Sequence, residues 1–188
     1  MNPFKAILSI GLAMTVTQVF AADSETSARD YIDAMCTLTG NWTGQFEQYN
    51  ETGLFRTSRF DAGFQCQPDK DVLMETNVFF QDEGTVFSTL KVIFPTQQPS
   101  EMQMSYFYGG MEKVYFFQSR RLEYDDAEHW TAARQSAGKA HETDKNPPVS
   151  RYTHIRNGSE LTMIREVKPD NRSNEWALSA KLIMQRQP

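Results

Sequence analysis

The sequence predicts an all-β chain: an antiparallel up-and-down β-barrel of about nine or ten strands behind one short N-terminal helix. Three observations predict it. A single stretch has helical spacing, with Ala28, Tyr31, Ile32 and Met35 at i, i+3, i+4 and i+7, the repeat that puts side chains on one helix face. From Gly40 onward the apolar period changes to two and stays so for most of the 188-residue chain, as strands require. Turn residues then interrupt the pattern at short intervals, and among them Asn157-Gly158 is the strongest two-residue hairpin signal.

Ahead of the helix, residues 1–21 read as a cleavable secretory signal peptide. Their one charge is Lys5, an apolar run from Ala6 to Val19 follows, and Val19-Phe20-Ala21 sets a small residue at the cleavage position before Asp23-Ser24-Glu25. The run falls short of the about 20 residues that cross a bilayer. Gly11, Thr15 and Thr17 also break the amphipathic pattern that a buried helix would need. Cleavage after Ala21 leaves one domain over residues 22–188, long enough for a sizeable core. No cysteine follows the cleavage point to take a lipid, and no later stretch is long and apolar enough to span a membrane. The chain is therefore expected to be periplasmic or secreted, without stable membrane insertion. Losing Lys5 takes the formal charge from −5 to −6, and this mild acidity argues against nucleic acid as a partner.

The helix covers residues 24–35, with Ser27 and Asp30 as its capping pair. The first strand, 42–49, alternates Trp42, Gly44, Phe46 and Gln48 against Thr43, Gln45, Glu47 and Tyr49, and Asn50-Glu51-Thr52-Gly53 turns the chain. Strand 54–66 follows, with a bulge or bend expected at Gly63. Strands 72–80 and 85–94 flank Gln81-Asp82-Glu83-Gly84, and in the second of them Val86, Leu90, Val92 and Phe94 share a face. Met102, Met104, Tyr106 and Tyr108 line one side of the fifth strand, which Gly109-Gly110 joins to a sixth over 112–124. Residues 125–149 leave two alternatives for their first half: a capped helical turn, or a strand through Trp130, Ala132 and Arg134. Their second half, with Gly138 and Pro147-Pro148, reads as a loop. Strands 150–156 and 160–167 flank Asn157-Gly158, and the last strand, 175–187, places Trp176, Leu178, Ala180, Leu182 and Met184 on one face. Consecutive hairpins favour a closed barrel, which hides every strand edge, over a sandwich, which needs crossovers.

Cys36 and Cys66 are the two cysteines. In an oxidising compartment an even pair predicts a disulfide. Neither has a second Cys or His nearby at metal-ligand spacing, and two free buried thiols are the other alternative.

Gly40-Asn41-Trp42 opens the first strand directly after the helix, and Arg186 ends the last. This combination resembles the lipocalin-like (calycin) β-barrels, more closely their uncharacterised exported bacterial members than the animal carriers. In that family the Gly-x-Trp sits at the closed end and a basic residue from the last strand packs over the indole. The resemblance therefore implies that Gly40, Trp42 and Arg186 close the barrel, a role that cation–π attraction would serve. It extends in strand count and length over nearly the whole mature chain. It also implies an interior that binds a small hydrophobic or amphipathic molecule, and it carries no catalytic residue.

The chain contains no Gly-x-Ser-x-Gly, no His-Glu-x-x-His, no phosphate loop and no paired CxxC, so catalysis is not expected. The candidate ligand-lining residues are Met74, Leu90, Met104, Tyr106, Tyr108, Tyr115, Tyr152, His154 and Trp176. Of the histidines, His129, His141 and His154, the last alternates with Tyr152 and Arg156. An inward His154 is a candidate axial ligand for haem, which gives a haem or redox barrel as the competing function. Several strands, notably 114–117, are apolar on both faces, which also fits an interaction module or a homodimer contact. Arg120, Arg121, Glu123, Asp125, Asp126 and Glu128 form a charge cluster read as a solvated strand end.

Overall fold

A computed structural model describes residues 26–67, 69, 71–81, 84–139, 148–168 and 174–188. The expected signal peptide, His141 and most of the loop before Val149 lie outside the described residues.

Helix α1, Ala28–Cys36, begins where expected: the Ser27 hydroxyl accepts from the Asp30 backbone N–H at 3.0 Å, satisfying one of the donors a helix start leaves free. Its buried face carries Ala28, Tyr31, Ile32 and Met35, the four residues of the helical repeat. Ten strands follow: β1 Gly40–Asn50, β2 Gly53–Gln67, β3 Val72–Phe80, β4 Val86–Pro95, β5 Glu101–Tyr108, β6 Met111–Asp126, β7 His129–Lys139, β8 Val149–Asn157, β9 Glu160–Lys168 and β10 Ala177–Arg186. Of the two alternatives for the first half of residues 125–149, the strand is the one that forms, and β7 runs on through Gly138 to Lys139, where a loop is expected from the sequence.

Every strand pairs antiparallel with its sequence neighbours, and β1 pairs with β10 to close the barrel. Closure leaves no strand edge unpaired. At this seam Trp42 stands opposite Arg186 and Gly44 opposite Met184. A Cβ on Gly44 would lie 1.9 Å from the Ile183 carbonyl oxygen, so glycine is what lets the two backbones approach. Gly63 is not a bulge, because β2 runs through it in unbroken register with both neighbours. A Cβ there would instead meet Thr76 Oγ1 at 2.7 Å.

The helix lies across the end of the barrel where β1 starts and β2 stops. The Cys36–Cys66 disulfide fastens it there, closing a loop whose constraint is worth about 3–4 kcal/mol on the chain-entropy model. Trp42 Nε1 donates to the Leu38 carbonyl at 2.8 Å, and Trp130 Nε1 donates to Thr37 Oγ1 at 3.0 Å. Both indoles thus bury their rings while spending their single donor on the segment that follows the helix. At the far end, the β1–β2, β3–β4 and β5–β6 hairpins carry Leu54, Phe55, Val86, Phe107, Tyr108 and Met111, all exposed. No described helix is long and apolar enough to cross a membrane.

Candidate functional site

The strand period decides what the barrel encloses. The inward set includes Trp42 and Phe46 of β1, Phe60, Ala62 and Phe64 of β2, Ile93 of β4, Met102 and Met104 of β5, Trp130 and Ala132 of β7, Leu161 and Met163 of β9, and Leu182 and Met184 of β10. The same faces also bury polar groups: Glu75 and Asn77 of β3, Thr89 of β4, Ser119 of β6, Arg134 of β7, and His154 and Arg156 of β8.

The helix end of the interior is polar. Arg156 lies 5.9 Å from the Trp42 ring centroid, donates from Nη1 to the Thr37 carbonyl at 2.7 Å and from Nε to the Gly158 carbonyl at 3.2 Å. Above it, Tyr31 Oη and His154 Nδ1 are 3.2 Å apart, one donating to the other according to the imidazole tautomer. Burial pushes the Tyr31 phenol up to about 12, and the nearby Arg134 charge opposes this. Burial first, then the charge of Arg134, hold His154 down at about 3, so the imidazole is neutral at ordinary pH.

His154 borders a cavity of about 80 Å³ walled by Phe46, Phe60, Phe64, Phe79, Leu161, Met163, Leu182 and Met184. Its polar lining is His154 together with Glu75 and Lys91, which stand opposite each other in the β3–β4 ladder. Lys91 Nζ donates to Glu75 Oε1 at 2.5 Å. Burial alone would raise the Glu75 carboxyl, but Lys91, Arg134 and Asn77 together bring it below the usual carboxylate range. Beside this cavity, Arg134 and Arg165 flank Tyr152, with their guanidinium carbons 5.2 and 5.9 Å from its ring centroid. A ladder of rings, Phe60, Phe79, Phe87 and Tyr108, runs from the cavity to the apolar rim at centroid spacings of 4.8, 4.5 and 5.6 Å.

The predicted lining residues are only partly brought together. His154 borders the cavity, and Met104, Tyr106, Tyr115 and Tyr152 belong to the surrounding core. Tyr108 shares their face but stands exposed at the rim. Met74 and Leu90 alternate with the inward Glu75 and Thr89, so they point outward and line an outer groove of about 320 Å³ with Gly63, Gln65 and Thr76. They read as lining because β3 and β4 are more apolar outside than inside. Trp176 lies outside as well, covered by Arg151 at 4.5 Å and Lys168 at 5.1 Å from its centroid; a register shift between Leu178 and Ala180 breaks the alternation that had placed it with Leu182. For barrel closure, Trp42 and Arg186 pair across the seam as expected, but the arginine over the indole is Arg156. Arg186 Nη2 instead donates to the Thr39 carbonyl at 2.9 Å.

Sequence reasoning missed Glu75, Lys91, Arg134 and Arg165. Each is a charged residue at an inward position of an alternating strand, and the pairing of Glu75 with Lys91 needs the β3–β4 register to be seen. The residues around His154 do not fit haem. The adjoining cavity is a small fraction of a porphyrin's volume. His129 is exposed and lies 3.0 Å from Asp126. Among the described residues no group of three or more His, Cys, Asp or Glu is placed to hold a metal ion. Of the charge cluster, Arg121 pairs with Glu123, and both are exposed.

No family model matches the chain, and no curated protein matches it. Among solved structures it is similar to the crystal structure of Rv2717c from M. tuberculosis, at 12% identity and a TM-score of 0.57, covering 84% of this chain and 98% of that one. That likeness is one of fold: the described residues form a closed ten-stranded antiparallel β-barrel with one short helix.

Proposed function

We propose that this is a non-catalytic binding protein, exported from the cytoplasm, whose barrel takes up one compact amphipathic molecule. The observation that carries this reading is the mixed lining of the interior cavity. Eight apolar side chains meet a buried Glu75–Lys91 pair and the neutral His154. Stability alone gives no reason for that trio, since a buried ion pair is commonly no more stabilising than apolar residues of the same volume. A ligand with one polar and one apolar end uses both parts of the lining.

The volume limits the ligand. About 80 Å³ is below the ~150 Å³ apolar cavity that accepts benzene and far below the ~300–1,000 Å³ of drug-sized pockets. A short chain fits the barrel better than a long fatty acid. The aromatic ladder and the apolar rim give such a molecule a route inward. The calycin resemblance agrees with a carrier role, although ten strands depart from the eight usual for lipocalins. The signal-like residues 1–21 and the Cys36–Cys66 disulfide support a site of action in the periplasm or outside the cell.

Native mass spectrometry of protein purified without denaturant or detergent tests the reading. A small adduct released on unfolding is the expected result. Protein that arrives bare, and takes up neither butanol nor butyramide, contradicts it.

A further inference from the structure

His154 is 3% exposed, and its two ring nitrogens are differently placed. Nδ1 meets Tyr31 Oη at 3.2 Å, whereas Nε2 has no hydrogen-bond partner among the described residues. Nε2 is not sealed in by packed atoms, as the unpartnered Nε of Arg134 is, and the imidazole borders the interior cavity. The open side of Nε2 is therefore the cavity itself.

The contact with Tyr31 fixes which nitrogen carries the proton. Burial keeps the phenol protonated and the imidazole neutral at ordinary pH, so the two groups hold one O–H and one N–H between them. Tyr31 Oη has no hydrogen bond other than the one to His154. With the imidazole proton on Nδ1, the phenol O–H would lie buried without an acceptor, and Nε2 would face the cavity as an unused acceptor. With the phenol donating to Nδ1, a single group is left unpaired, the Nε2–H, and it lies where a ligand atom can meet it. An unmet buried polar group is costly, so the second arrangement is the stable one, and His154 offers a donor to the cavity.

The rest of the lining narrows the ligand further. Its one carboxylate, Glu75, is held by Lys91 Nζ at 2.5 Å, and the ammonium of Lys91 has N–H bonds to spare. The pair is self-neutralising, so an ionised head group would bring an unbalanced charge into a space otherwise walled by eight apolar side chains.

We propose that the polar end of the ligand is an uncharged carbonyl oxygen, received by the Nε2–H of His154, with its short apolar part among Phe60, Leu161 and Leu182. The assignment rests on the reading of the barrel as a binder of a compact amphipathic molecule, and it names the class of that molecule: a small ketone or aldehyde. Such a molecule brings an acceptor and no donor. An alcohol brings an O–H as well, and the one carboxylate of the lining is already engaged.

Acetone and isobutene have the same shape and differ only in an oxygen against a methylene, and both are small enough for a cavity of about 80 Å³. Long-range nitrogen–proton NMR of the histidine rings in the full protein, recorded alongside methyl spectra, tests the assignment. Ligand-free wild type should carry the His154 proton on Nε2. Both probes should shift the methyl signals of Leu182 and Met184 saturably, and only acetone should move the Nε2 signal. His154→Phe keeps a ring and removes the donor, so it should bind acetone roughly three- to tenfold more weakly, the scale of one hydrogen bond, and isobutene no worse than wild type does. A proton on Nδ1, an Nε2 signal that ignores acetone while the methyl signals move, or undiminished acetone binding by His154→Phe overturns the carbonyl assignment and leaves the binding reading standing. Methyl signals that stay fixed with both probes overturn both. If His154→Phe does not fold, the wild-type nitrogen spectra decide the assignment alone.

Discussion

Tyr31 of the plugging helix and His154 of β8 meet inside the barrel, Oη to Nδ1 at 3.2 Å, with both side chains buried. The contact joins helix α1 to the wall of the cavity and fixes the imidazole beside Glu75 and Lys91. The burial of His154 makes the protein's stability depend on pH.

His154 is held at about 3 in the folded chain, chiefly by burial, against about 6.5 when unfolded. The unfolded chain therefore takes up a proton that the folded chain refuses. The stability is complete above about pH 6.5 and is lost as pH falls toward the folded value, at about 1.4 kcal/mol per pH unit. Glu75, lowered below the usual carboxylate range, loses its contribution only at more acid pH. Urea denaturation of wild type and His154→Gln between about pH 5 and 6.5 isolates the histidine. The variant should have the flatter profile, and parallel profiles would contradict the burial of a neutral imidazole.

Arg156 and Arg186 should differ sharply in what their loss costs. Arg156→Leu strips a hydrogen bond from the Thr37 and Gly158 carbonyls and the cation from Trp42, a loss of about 1–3 kcal/mol. Arg186→Leu removes one exposed bond to Thr39 and should cost less than about 1 kcal/mol. Chemical denaturation midpoints at equal slope give the comparison. The reverse order would restore Arg186 as the residue that closes the barrel.

For the Glu75–Lys91 pair, Lys91→Met alone leaves a buried carboxylate and should cost about 3–5 kcal/mol. The double variant Glu75→Leu with Lys91→Met should recover most of that loss, which a double-mutant cycle measures. It should also lose affinity for amphipathic probes. A double variant that binds them as wild type does would remove the pair from the site.

Much of the fold is legible in the sequence because it depends on local chemistry. Asn157-Gly158, Gly109-Gly110 and the stop at Pro95 mark hairpins by themselves, and the helical face of Ala28, Tyr31, Ile32 and Met35 needs no tertiary information. The site is less legible because its pattern is inverted. Along β4 the apolar Leu90 and Val92 face outward while Thr89 and Lys91 face the interior, so choosing apolar residues as lining selects the wrong face. Trp176 was misplaced by a register shift that no single residue announces. The row of Arg134, Tyr152 and Arg165 joins residues from three strands, and it exists only once their registers are known.

The most direct test of the central claim is a methyl NMR titration of the full protein with straight-chain alcohols from ethanol to octanol. Binding inside a cavity of about 80 Å³ predicts saturable shifts at Leu161, Met163, Leu182 and Met184, with affinity rising over the short chains and falling once the chain outgrows the space. Methyl signals that stay fixed throughout the series, or that shift without saturating, would contradict an interior binding site.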